Sequence, residues 1–184
     1  SSGSVVNSKN VVYGSSGEIA ATSIASTSTI NGVGISSNIS NFANSILISN
    51  DAGTGTLSSA NNNTGFGDNV FAALTSAADS VAIGSQALKA TTSGGGNIAI
   101  GKDSLIANTI GNTNVAIGTD AMTTNVAADR NVAVGEQALQ NMTASSSTDT
   151  YNVGVGYNAG LSINSGVKNT FVGGRAGDAT TTAN

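Results

Sequence analysis

The sequence predicts an all-β chain built as a parallel β-solenoid, a β-roll of coils about 17 residues apart, and three observations predict it. A nine-residue phrase recurs eight times in 184 residues. Its clearest copies are SVAIGSQAL (80–88), NIAIGKDSL (97–105), NVAIGTDAM (114–122) and NVAVGEQAL (131–139); looser copies start at Ser45, Asn63, Asn152 and Asn169. Successive starts lie 18, 17, 17, 17, 17, 21 and 17 residues apart, a near-constant step of the kind that stacked coils produce. Within each copy, bulky and small residues alternate with the two-residue period of a strand.

Each element of a coil can be read in order. The strand carries bulky residues at offsets one and three, as in Val81 and Ile83, Ile98 and Ile100, Val115 and Ile117, and Val132 and Val134. Between them lies a small column, Ala82, Ala99, Ala116, Ala133 and Gly154, which must point to the opposite face. A glycine then ends the strand: Gly67, Gly84, Gly101, Gly118, Gly135, Gly156 and Gly173. Glycine is what a chain needs where it turns through positive φ or where backbones approach closely. Two variable polar positions follow, and then a small residue beside a large one, such as Ala87–Leu88 or Ala121–Met122, which would close the coil. The remaining residues form loops, and the single 21-residue step places its extra residues in the loop before Asn152. Asn opens most copies, including Asn97, Asn114 and Asn131, and stacked Asn side chains can hydrogen-bond from coil to coil.

Three large apolar residues per coil make a thin core for a lone chain. The expectation is therefore that the bulky positions line the coil interior and the small column lets neighbouring chains approach around a common axis. On that reading Ile117→Asn should unstack the middle of the array. Leu47 and Phe171, the bulky exceptions in the small column, fall in the first and last copies, where atypical capping repeats are expected.

The array occupies residues 45–177. Residues 1–44 form a β-rich segment for docking, capping or strand addition, in which Ser4–Tyr13 (SVVNSKNVVY) reads as an edge strand. Asn10–Gly14 and Asn31–Ile35 read as degenerate rungs, and 178–184 form a tail.

Composition narrows the function. With six basic residues, a net charge of −4 and a pI near 4.3, the chain lacks a nucleic-acid footprint, and no apolar run is long enough to span a bilayer. Without His or Cys it has no Ser-His-Asp triad, Cys nucleophile or ordinary zinc site, so no cofactor or metal is expected. The chain begins at Ser1 rather than Met, as a processed form or an excised piece would.

The phrase N/S-x-A-I/V-G-x-x-A-L resembles the repeats in the head domains of trimeric autotransporter adhesins and the related repeats of phage tail fibres. That resemblance covers residues 45–177 and implies left-handed β-roll coils, with three parallel chains packed side by side in a rigid homotrimer. The 17-residue period departs from the shorter repeat of the adhesin heads and leans toward the phage-fibre type. The resemblance also implies an extracellular location, on a virion or a bacterial surface, and attachment rather than catalysis, with a cell-surface glycan as a candidate receptor. Two alternatives remain open: a surface filament whose subunits join by N-terminal strand addition, and a glycan-binding or glycan-cleaving tail-spike module.

For that last reading the candidate groups are Asp103 and Asp120, at one offset in adjacent copies and thus roughly 5 Å apart by stacking, near the separation of a retaining glycosidase pair. The bland reading is an outward polar column near Lys102. Tyr13, Tyr151 and Tyr157 could stack on sugars, and the 141–151 loop could hold one. The dinucleotide-like GVGYNA (154–159) is one more copy of the repeat, with no helical pattern after it.

Overall fold

A computed structural model describes residues 29–30, 33–37, 41–49, 54–144 and 146–182. The first hairpin, β1 (Thr29–Ile30) and β2 (Val33–Ser37), pairs antiparallel, and β2 in turn runs antiparallel to β3 (Ile46–Ser49). From β3 onward one sheet continues through β4 (Thr64–Phe66), β5 (Val81–Ile83), β6 (Ile98–Ile100), β7 (Val115–Ile117), β9 (Val132–Val134), β11 (Val153–Val155) and β12 (Thr170–Val172). These eight strands make seven parallel steps, each in the same register, as in Ile98 opposite Val115, Ala99 opposite Ala116 and Ile100 opposite Ile117. The chain is a parallel β-solenoid. Val33–Ile35 belong to the antiparallel β2 and not to a rung, and Ser4–Tyr13 lies outside the described residues.

The strand faces point the opposite way from the expectation. Ala82, Ala99, Ala116 and Ala133 are fully buried inside the single chain, whereas Ile83 is 39% and Ile117 37% exposed. The buried cluster joins this alanine column to Leu88, Leu105, Met122 and Leu139 with Ala87, Ala121 and Ala138. A coil this short has a narrow cross-section: when the second side contributes a Leu or Met, the strand side has room for a methyl group only. Where the strand residue is Gly154, a Cβ there would come 2.8 Å from Leu139 Cγ. The end coils reverse the assignment. Leu47 is buried over Gly65, where a Cβ would meet Leu47 Cδ1 at 2.7 Å, and Phe171 fills the space left by Gly160 and Gly177.

The corner after each strand explains the recurring glycine. Gly118 has φ 137, and a Cβ on it would lie 2.5 Å from the carbonyl of Gly135 in the next coil. Coils are therefore stacked backbone against backbone along this edge. Two residues on, the chain enters the left-handed region twice, at Asp103 (φ 57) and Leu105 (φ 49), and likewise at Asp120 (φ 58) and Met122 (φ 51). This turns alternate N–H groups toward opposite neighbours. Asp103 N–H donates to Ser85 O of the preceding coil at 2.9 Å, and Leu105 N–H to Ala121 O of the following one at 3.0 Å. The backbone cost of left-handed residues, on the order of 1 kcal/mol each, is offset by hydrogen bonds to both adjacent coils.

The 21-residue step is absorbed without breaking the sheet. The extra residues lead into β10 (Thr148–Asp149), which pairs in parallel with β8 (Ala128–Asp129) one coil earlier, and β11 then resumes the register of β9. The last coil runs on past 177, because Asn164 N–H donates to Thr181 O.

Candidate interaction surface

The outward strand residues form one continuous strip. Of its sixteen positions, two in each of eight strands, fourteen are Ile, Val or Phe, two are Thr, and none is charged. Ile46, Phe66, Ile83, Ile98, Ile117 and Val172 are 37–69% exposed, and the remaining Ile and Val are half-buried only by their neighbours along the ladder. Seven steps of ~4.8 Å give the strip a length of roughly 34 Å. Polar columns flank it. The residues before the eight opening positions are Asn44, Asn62, Asp79, Gly96, Thr113, Arg130, Tyr151 and Lys168; those after the seven corner glycines are Asp68, Ser85, Lys102, Thr119, Glu136, Tyr157 and Gly174.

The opening asparagines do not belong to this surface. Asn63, Asn97, Asn114, Asn131 and Asn152 are fully buried and form a ladder along the solenoid. Asn114 N–H donates to Asn97 Oδ1 at 2.9 Å and Asn114 Nδ2 to Ala128 O at 2.8 Å, while Asn114 Oδ1 accepts both Asn131 N–H and Asn131 Nδ2 at 3.0 Å. Ser45 and Ser80 substitute in two rungs: their Oγ atoms accept Asn63 N–H at 2.8 Å and Asn97 N–H at 3.2 Å. A shorter parallel ladder links Asn125 Nδ2 to Asn108 Oδ1 at 2.9 Å. These polar atoms bond the neighbouring coils or the backbone of their own coil, so the column satisfies buried backbone groups rather than presenting donors to a ligand.

Asp103 and Asp120 stand on the side next to the strip, in adjacent coils. The Asp103 carboxylate is already engaged: Lys102 Nζ lies 2.5 Å from Oδ2, and Gln86 Nε2 donates to Oδ1 at 3.0 Å. Lys102 is held protonated beyond the ordinary lysine range, first by its hydrogen bond to Asp103, then by the charge of Asp103 and, more weakly, that of Asp120. Conformation accounts for the acids, since both occupy the left-handed corner position, where Asp and Asn are favoured among non-glycine residues. Asn69 and Asn158 hold the same conformation in other coils.

The irregular coil gathers a different cluster. Arg130 Nε lies 2.7 Å from Asp149 Oδ1, and Tyr151 Oη donates to Asp149 Oδ2 at 2.8 Å. These two contacts, the Tyr151 hydrogen bond first and Arg130 second, hold the Asp149 carboxyl below the usual carboxylate range, and Asp149 in turn raises the Tyr151 phenol. On the neighbouring coil, Asp129 accepts from Ser147 Oγ and from Asn112 N–H. A cleft of about 590 Å³ beside the insertion is lined by Val126, Thr143, Ala144, Ser146, Thr148, Thr150, Ser165 and Val167. Asp103 and Asp120 are not among its walls, and neither is Tyr151. Tyr151 and Tyr157 are about half exposed, and Tyr13 lies outside the described residues. Among the described residues no helix is long and apolar enough to cross a membrane.

The sequence alone does not mark the strip as a surface. The signal was present in the recurring pair of β-branched residues, but the same pattern fits an interior. No protein-family description, curated protein or solved structure matches the chain.

Proposed function

We propose that this chain is a structural subunit of an extracellular fibre, a rigid shaft or head used for attachment, in which three parallel copies pack side by side. The observation that carries the reading is the unbroken stacking of eight parallel strands in one register, even across the 21-residue step. Each coil is tied to the next by a strand ladder, a corner of close-packed glycines and the buried Asn ladder. Such an array resists bending because deformation must break backbone hydrogen bonds in several columns at once. The resemblance of the repeat phrase to adhesin heads and phage tail fibres points the same way, toward a virion or bacterial surface.

The test is negative-stain electron microscopy of the purified chain together with antibody labelling of the cells or particles that carry it. Straight rods and surface labelling are expected; labelling confined to the cytoplasm would overturn the reading.

A second reading attaches to the irregular coil. The cleft beside the insertion carries the hydroxyls of Thr143, Ser146, Thr148 and Ser165, a donor and acceptor set suited to a receptor glycan. Glycan-array binding that disappears when residues 143–147 are deleted, with the fold intact, is the expected result on this reading. Equal binding by the deletion variant would remove it.

A further inference from the structure

The outward strip is larger and more uniform than a lone chain needs. Six of its fourteen aliphatic or aromatic side chains are 37–69% exposed and none of the fourteen is fully buried, a contiguous apolar run that marks an interaction site rather than the singly scattered apolar residues normal on a monomer. A partner for it must be uncharged over roughly 34 Å and must repeat every ~4.8 Å, or its side chains fall out of step with the ladder. A second copy of this chain meets both conditions.

We infer that copies of this chain associate through this strip, parallel and in register, with the polar column before the strand of one copy meeting the column after the corner glycine of the next. Register follows from the flanking residues. Within a coil the two columns are six residues apart, so in-register packing sets Arg130 of one copy opposite Glu136 of another, Tyr151 opposite Tyr157, and Asn62 opposite Asp68. No like charges meet. Sliding one copy by a coil brings Asp79 beside Asp68 in one direction and beside Lys102 in the other, but either slide separates the Arg130–Glu136 and Tyr151–Tyr157 pairs and leaves one rung of the apolar strip uncovered at each end. The arrangement also has the usual anatomy of an interface, an apolar centre with a charged and aromatic rim, and identical contacts from copy to copy form a ring where the rotation between copies closes.

This refines the fibre proposal by naming its lateral contact, and the two can fail separately. A monomeric rod on a cell surface would keep the fibre role and remove both the three-copy packing and this interface; an assembled chain labelled only in the cytoplasm would keep the interface and remove the fibre role.

The test exploits the absence of native cysteine. A Tyr151→Cys, Tyr157→Cys double variant should form intermolecular disulfides on mild oxidation, giving covalent dimers or closed trimers on a non-reducing gel. Either single variant should stay uncrosslinked, because residue 151 of one copy meets 157 and not 151 of another. Light scattering should show the unmodified chain at two or three times its monomer mass. It should also show Ile100→Asp, Ile117→Asp at monomer mass with an unchanged β circular-dichroism spectrum. A monomeric unmodified chain at ~100 µM, or crosslinking of the single variants as efficient as that of the double, would overturn the inference. If the Asp double variant does not fold, the cysteine experiment decides alone.

Discussion

Ala116 and Ile117 are neighbours in one strand, yet one is sealed inside the coil and the other is 37% exposed. The same holds for Ala82 with Ile83, and Ala133 is sealed beside a half-buried Val134, so the contrast runs through the array. Size alone does not tell which face is inside. In a wide sandwich the bulky face turns inward because there is volume to fill. In a 17-residue coil the interior is already occupied by Leu88, Leu105, Met122 and Leu139 from the opposite side, and the strand can add only a methyl group. The two faces therefore serve different interactions: the inner one holds a coil together, and the outer one is left for another surface.

Mutations can break or sharpen that contrast. The largest effect is expected at the corner that both faces share. Gly118→Ala combines a φ of 137 with a Cβ placed 2.5 Å from the Gly135 carbonyl, and should cost about 3 kcal/mol, read as a lower denaturation midpoint or failure to fold. Next comes the buried ladder. Asn114→Ala removes the acceptor of Asn131 N–H and the donor to Ala128 O, a loss of about 2 kcal/mol. Asn114→Ser should lose about half as much, because Ser80 shows that a hydroxyl can accept the backbone N–H of the next coil. An Asn114→Ala variant as stable as the parent would remove the ladder from the account of stability.

The direct comparison of the faces pairs Ala116→Leu with Ile117→Asn. The inner substitution overpacks a filled interior and should destabilise by roughly 1–3 kcal/mol. The outer one should change the stability of the isolated chain by only about 0.5–1 kcal/mol, although it places a polar group on the strip. The expectation from alternation alone, that Ile117→Asn unstacks the array, is thus replaced, and unchanged melting of that variant is compatible with the coil. Equal destabilisation by both substitutions would show that the faces are not distinguished in solution.

The smallest effect belongs to the irregular coil. Asp149 has a folded-state pKa below its unfolded value, so its contacts with Tyr151 and Arg130 contribute fully at neutral pH and fade only as pH falls below about 4. Amide exchange at Thr148–Tyr151 should accelerate over that range while the strands of the regular coils stay protected. Asp149→Asn should show the faster exchange already at neutral pH. Exchange indifferent to both changes would assign no role to this exposed cluster in holding the insertion.

Much of this architecture was legible beforehand for particular reasons. The repeat step exposed the coil, the alternation exposed the strand, and Gly118 with its equivalents marked a corner that no side chain can occupy. The Asn column was legible as a ladder because the same residue opens successive copies. The acids were less so: Asp103 and Asp120 suggested a chemical pair, and only the left-handed backbone at both positions supplied a conformational reason for them. The partners of Asp149 were not readable either, because β8 and β10 pair across the one step that departs from the period.

By itself the sequence determined the periodicity, the strand positions, the corners and the polar ladder, since each depends on local backbone preference repeated at a constant interval. The tertiary structure alone decided which strand face lies inside. That choice depends on the volume left by the Leu and Met column across the coil, a distance in space to which a pattern of alternating residues is blind. It turned the alanines inward and left an uncharged ladder of Ile, Val and Phe facing out.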